Sequence, residues 1–264
     1  MVIVGEKLNS SIPSVQEKLA ARDADFVKDM TQRQLECGAD YIDLNAGAFL
    51  SGETEMLLWM LEAATAVEGA KFMLDSPDYR VLACALERFP LENAVLNSVT
   101  LEKERFNGVL GLVKKYNTGV VALPMDGKSV PKTASERFEK ACALADALVE
   151  NGVPEDKIFI DALVEAVCAD FEAARETVET IRLVREKYPN IHITGGLSNV
   201  SFGMPKRKFI NSAFLAAAIY AGLDSGIMDI TNPDAPMILA ASQLVAGKDE
   251  YCCGYMEAYN NLKG

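Results

Sequence analysis

The chain is poor in histidine, in basic clusters and in long apolar runs, and each shortage removes a class of function. One histidine, His192, stands among 264 residues. It falls inside a short apolar run that reads as a strand, so no histidine is placed to act as the base of a Ser-His-Asp hydrolase. The six cysteines, Cys37, Cys84, Cys142, Cys168, Cys252 and Cys253, form no C-x-x-C pair. Adjacent Cys252 and Cys253 lack the further ligands of a structural zinc site. Buried, reduced thiols are the expectation for all six. Lysine and arginine number 26 against 38 acidic residues, a formal net charge of -12. Nucleic-acid binding and polybasic membrane anchoring both need clustered cations, so neither fits. The acidity itself reads as ordinary solubility. No apolar stretch reaches the roughly 18 residues of a membrane span. The opening MVIVGEKLNSS is not a charged leader followed by a long apolar run. A cytoplasmic protein is therefore expected. The dinucleotide fingerprint G-x-G-x-x-G is missing after the first strand.

What is present is a regular alternation. Half the residues are hydrophobic, and no Pro/Gly/Ser-rich linker divides the chain. Short apolar runs predict strands near 2–5, 40–44, 71–74, 94–96, 119–123, 157–160, 191–194 and 226–228. Most are apolar throughout, as strands buried on both faces must be. Between them, apolar residues at helical spacing predict helices near 23–37, 53–67, 78–88, 101–116, 133–150, 169–187, 207–221 and 234–246. Eight strand–helix units in this length predict a single (β/α)₈ barrel domain over residues 1–264, with an open doubly wound sheet as the alternative.

Barrel enzymes carry their chemistry at the C-terminal ends of the strands. Those ends hold Glu6 and Asn9, Asp43 and Asn45, Asp75 and Ser76, Asn97 and Ser98, Met125 and Asp126, Asp161, then Gly195, Gly196, Ser198 and Asn199, and last Asp229 and Asn232. The set is rich in Asp and Asn and contains no His or Cys. Any one of these residues could simply cap a helix or close a turn. A lysine for Schiff-base chemistry is missing where the sixth strand ends in Asp161. A Mg²⁺ site on Asp43, Asp75 and Asp161 is conceivable, but no bound metal is expected. A flat heterocycle with adjacent N–H donors suits the set better. A carboxylate accepts two parallel hydrogen bonds from a ring N–H and an exocyclic amine, and an amide meets mixed donor and acceptor positions. The 2-amino-4-oxo edge of a pterin presents that pattern.

These residues lie in stretches that resemble a known family. GEKLN (5–9), GADYIDLNAG (38–47), LDS (74–76), LNS (96–98), IDAL (160–163), GGLSNVSFG (195–203) and RKFINSAFLAAAIYAGLDSGIMD (207–229) together are similar to the pterin-binding methyltransferases. That class includes methyltetrahydrofolate:corrinoid protein methyltransferases and the folate domain of cobalamin-dependent methionine synthase. The resemblance covers nearly the whole chain. It implies that Asp75, Asn97 and Asp161 hold the pterin edge and that Asn199 sits beside N5 as the catalytic amide. It also implies that Gly196, Ser198, Arg207 and Ile227 line the rest of the pocket, with Asp43 and Asn45 at its floor or behind it. By the same resemblance the substrate is tetrahydrofolate or 5-methyltetrahydrofolate, the corrinoid (cobalamin) is carried by a separate protein, and the enzyme is a homodimer. Methyl transfer from methyl-Co(III) to tetrahydrofolate in a methylamine or glycine betaine type of demethylation is the preferred sense. Transfer from methyltetrahydrofolate to a corrinoid/iron–sulfur protein in the acetyl-CoA pathway is the alternative, and a non-catalytic pterin-binding or docking subunit is the alternative of another class. Two stretches depart from the family pattern: DSPD at 75–78 and SFGMPKRK at 201–208. They bear on the tail pocket and the corrinoid-facing surface. A dihydropteroate synthase, with the same barrel, needs basic residues late in the barrel for its pyrophosphate, and GIMDITN at 226–232 has none.

Overall fold

The computed structural model describes residues 1–261. Eight strands, β1 (Val2–Asn9), β2 (Tyr41–Asn45), β3 (Phe72–Asp75), β4 (Val95–Val99), β5 (Gly119–Ala122), β6 (Ile158–Asp161), β7 (His192–Thr194) and β8 (Ser225–Met228), form one sheet. All pairings are parallel, in the order β7-β6-β5-β4-β3-β2-β1-β8. Between β7 and β8 the ladder shrinks to one bridge, Gly196 opposite Ile227, with the Ile227 N–H donating to the Gly195 carbonyl at 3.0 Å. The sheet is thus a nearly closed (β/α)₈ barrel. The helices α1 (Pro13–Ala20), α2 (Ala24–Glu36), α3 (Glu53–Ala64), α4 (Tyr79–Arg88), α5 (Lys103–Tyr116), α6 (Ala134–Glu150), α7 (Ala173–Lys187), α8 (Arg207–Ala221), α9 (Ala235–Val245) and α10 (Cys253–Asn261) accompany it.

The eight predicted helices are α2 to α9, with ends shifted by up to four residues. Two further helices were not expected. α1 buries only Val15 and Leu19 and starts with proline at its first position, where the missing N–H costs nothing. α10 buries no side chain, so periodicity had little to reveal. β4 runs to Val99 rather than stopping near residue 96, which puts Asn97 and Ser98 within the strand.

Successive side chains on a strand face opposite sides, and here the two sides have different cores. Ile42, Leu44, Leu74, Leu96, Val120 and Ile160 pack outward in the large core beneath the helices. Val4, Met73, Val95, Val121 and Phe159 form a separate plug inside the barrel, with Tyr41 and Ile227 against it. Two residues further along the same strands, the inward positions are Asp43 after Tyr41, Asp75 after Met73, Asn97 after Val95 and Asp161 after Phe159. Period two alone therefore stacks an Asp/Asn layer on an apolar plug.

The cysteines correct an expectation. All six are free, but Cys84, Cys168, Cys252 and Cys253 are exposed and none is fully buried. Among the described residues no helix is long and apolar enough to cross a membrane.

Candidate active site at the barrel mouth

The register aligns Asn45, Asp75 and Asn97 side by side across β2, β3 and β4. Asn45 Nδ2 donates to Asp75 Oδ2 at 2.6 Å, while Asn45 Oδ1 accepts the Gly47 N–H at 3.0 Å. Asp75 is thereby fixed on one side. Burial, together with the nearby Glu53 charge, outweighs the Asn45 bond and the Arg105 charge and pushes its carboxyl up to about 6. Asp161 accepts the Leu163 N–H at 2.7 Å. Burial and the neighbouring Asp75 raise it to about 6 as well, against the Leu163 bond and Arg137. Asp43, 2% exposed, lies below these two. Burial holds its carboxyl well above the usual range, helped by the charges of Asp75 and Glu6.

Several polar atoms here have no protein partner. Asp43 Oδ1 and Glu53 Oε1 are buried and unbonded. The Asn97 amide has only a 3.8 Å contact to Met73 Sδ. Buried polar groups are normally satisfied. A cluster left with spare acceptors and an amide beside them can accept hydrogen bonds from a group carrying N–H donors.

Two arginines brace this side from outside the barrel. Arg105 on α5 donates from Nε to the Ser98 carbonyl at 2.9 Å and from Nη2 to Ser98 Oγ at 3.0 Å and the Ser76 carbonyl at 3.4 Å. Arg137 on α6, 1% exposed, donates to the Leu163 carbonyl at 2.9 Å, Pro131 carbonyl at 3.1 Å and Glu165 Oε2 at 2.5 Å. Both hold loops that follow strands carrying the Asp/Asn layer.

The opposite side is built on a 3₁₀ turn, Leu197–Ser201, after β7. Gly196 precedes it, and a Cβ there would lie 2.9 Å from Asn199 Nδ2. Glycine thus leaves room for the Asn199 amide, which sits exposed at the mouth. Ser198 Oγ donates to Glu6 Oε1 at 2.7 Å. Burial raises the Glu6 carboxyl in spite of that bond, and the Asp229 charge adds to the rise. Arg207 opens α8 and donates to the Ser198 carbonyl at 2.6 Å and Ser201 Oγ at 2.9 Å. Ile227 is half-buried against the barrel plug. Beside this turn a cavity of about 380 Å³ opens between the ends of β1 and β8 and the helices α8 and α9. Glu6, Arg207, Asn211, Leu215, Met228 and Ile238 are among its lining. Asp75, Asn97 and Asp161 lie outside it.

Other strand-end residues have local duties. Asp126 is held by Lys140 at 2.5 Å, which lowers its carboxyl to about 2. Asp229 pairs with Lys7 at 2.6 Å and accepts from Thr231, and Asn232 closes a turn to Asp234. All three close local turns, and Asp229 and Asn232 also line the cavity. Glu53, Arg105 and Arg137 were missed: they reach the site from helices, and no strand-end pattern marks them. Among the described residues no group of three His, Cys, Asp or Glu side chains could hold a metal ion.

The comparisons agree with the motifs. The pterin binding enzyme family matches residues 5–229. The chain is 33% identical to a methylcorrinoid:tetrahydrofolate methyltransferase of Eubacterium limosum, over all of this chain and 97% of that one. It is 32% identical to a methionine synthase of Mycobacterium tuberculosis over 86% of this chain, which spans only 20% of that larger protein. Among solved structures, the dihydropteroate synthase of Yersinia pestis superposes with a TM-score of 0.66 over 93% of both chains. At 14% identity that likeness speaks for the barrel alone. The protein belongs to the pterin binding enzyme family, and its resemblance to the family's methyltransferases extends over its full length.

Proposed function

We propose that the protein is a tetrahydrofolate- and corrinoid-dependent methyltransferase that takes a methyl group from a methylated corrinoid protein and places it on N5 of tetrahydrofolate. The match to the Eubacterium limosum enzyme over both full chains carries this reading. The site supports it chemically. Asp75, Asn97 and Asp161 offer spare acceptors and an amide where the pterin edge offers its donors. Asn199, with its amide free of the 3₁₀ turn, faces N5. Gly196, Ser198, Arg207 and Ile227 frame the ring, and Asp43 and Asn45 support it from below.

The methyl carbon arrives bonded to cobalt, which departs with the bonding electron pair as Co(I). The neutral N5 lone pair forms the new C–N bond, and the N5 proton leaves to solvent. Asn199 can accept from N5–H before the transfer and orient the lone pair along the line of attack. A contact that strengthens as charge changes at N5 lowers the barrier rather than merely binding substrate. Holding two large partners in line supplies much of the remaining rate.

The mouth is shaped for a large second partner. Leu50, Phe171, Phe202 and Phe209 stand on loops or helix starts around it, from 64% to 87% exposed. Large apolar side chains left exposed around a site suit a docking surface. The occupant in this reading is the separate corrinoid protein, charged by a demethylase of the methylamine or glycine betaine type. The enzyme acts as a homodimer. Anaerobic mixing with methylcobalamin and tetrahydrofolate tests the activity: cobalt absorbance should show Co(I) appearing as methyltetrahydrofolate forms. No transfer from either methylcobalamin or a methylated corrinoid protein, with no pterin affinity, rejects the reading.

A further inference from the structure

We propose that Arg105 is a positioning residue for pterin recognition, a two-way clamp from α5 that sets the spacing and the charge of the Asp75–Asn97 pair. The inference rests on the pterin reading above. Arg105 does not reach the barrel interior, and its hydrogen bonds go to no carboxylate. Its fork grips the Ser98 carbonyl and hydroxyl, one residue beyond Asn97, and the Ser76 carbonyl, one residue beyond Asp75. Asp78, three residues beyond Asp75, is already engaged by Arg80 through three side-chain bonds. The β3 and β4 ends are otherwise joined by the Ser76 N–H to the Asn97 carbonyl at 2.9 Å. The guanidinium closes the other side of that junction. Asp75 and Asn97 must act on one flat ring at once, so an error in their separation weakens both contacts together.

The same cation governs Asp75 electrostatically. The charged groups around Asp75 are Asp43 on β2, Glu53 on α3, Asp161 on β6 and Arg105 on α5. Three are acidic, and Arg105 alone opposes them. Without it, burial and the Glu53 charge drive Asp75 further toward its neutral form with only the Asn45 bond against them, and that form accepts hydrogen bonds less well.

Two substitutions separate the clamp from the charge. Arg105→Lys keeps the cation and loses the planar fork. Arg105→Gln loses both. The first readout is the Asp75 carboxyl titration by ¹³C NMR in the unliganded protein, assigned by its loss in Asp75→Asn. The midpoint should stay near the parent's in Arg105→Lys and rise in Arg105→Gln. The second is tetrahydrofolate affinity and turnover. KM should rise about tenfold in Arg105→Lys and more in Arg105→Gln, while kcat at saturating tetrahydrofolate stays within about threefold, because the reacting nitrogen lies across the mouth. An unmoved midpoint in Arg105→Gln, or a fall in kcat with KM unchanged, overturns the assignment. Lack of pterin affinity in the parent rejects the pterin reading instead, and the Asp75 titration then decides by itself whether Arg105 governs this carboxyl.

Discussion

The two halves of the barrel mouth are built on different principles. From β2 to β6 each pair of neighbouring strands is laddered over three or more residues, with one irregularity between Asn97 and Val99; Asn45 pins Asp75, and Arg105 and Arg137 tie the strand ends and following loops to the outer helices. From β7 through β8 the ladder is a single bridge, the polar groups sit on a 3₁₀ turn, and a cavity opens alongside. Exposed Phe202 and Phe209 belong to this second half. A heterocycle edge is read by donors and acceptors that must not move, since each misplaced group loses its bond and keeps its desolvation cost. A macromolecular partner needs open, apolar ground near the reacting atom. The braced half suits recognition and the open half suits reaction.

The largest expected effect lies in the braced half. Asp161→Asn puts an amide donor against a ring donor and should weaken pterin binding by about a hundredfold or more, read by calorimetry. Affinity equal to the parent's removes Asp161 from the pterin edge. In the open half, Asn199→Ala should lower kcat by roughly thirtyfold while pterin affinity changes by no more than a few-fold. A loss confined to affinity would place Asn199 in recognition and dissolve the contrast between the halves. Replacing Phe171 and Phe202 together by serine should raise KM for the corrinoid protein about tenfold and leave turnover with free methylcobalamin unchanged. Equal loss with both methyl donors would mean the two rings act on folding instead. Gly196→Ala should cost several-fold in kcat, because the added methyl meets Asn199 Nδ2. Its φ is negative, so the effect is one of space.

The smallest effect is on stability, and it tests the acidic layer directly. Asp75 and Asp161 stand at about 6 against an ordinary 3.8. A carboxyl whose folded pKa lies above its unfolded one contributes stability that is complete below 3.8 and is lost as pH rises through about 6. At about 1.4 kcal/mol per pKa unit, each shift is worth on the order of 1–3 kcal/mol across that window. Asp75→Asn and Asp161→Asn should therefore raise the melting temperature of the unliganded protein at pH 7 and flatten its fall between pH 4 and 7. Variants no more stable than the parent at pH 7 would show that the layer is not under electrostatic load. Stability gained where binding is lost is the usual mark of a functional site.

Much of this was legible in the residues. Strand–helix alternation specified the barrel, because strands buried on both faces must be apolar and amphipathic helices must flank them. Side-chain alternation then dictated which polar residues share the mouth: Asp43 and Asn45 follow Tyr41 at period two, and Asp161 follows Phe159. That rule is local, so one sequence suffices to apply it. It could not separate Asp126, which a lysine on α6 draws aside, from Asp75, which stays inside.

What only the tertiary structure decided is how the layer is held and charged. Arg105 and Arg137 come from the helices after β4 and β5, and they reach the segments after β3 and β6, 29 and 26 residues away, as well as nearby ones. Glu53 enters from the start of α3, and the unbonded oxygens of Asp43 and Glu53 exist only because packing excludes other partners. The sequence by itself determined the fold and the list of groups at the mouth, through periodicities that act over a few residues. Their bracing and protonation were settled by burial and by contacts between distant segments, which no local pattern records.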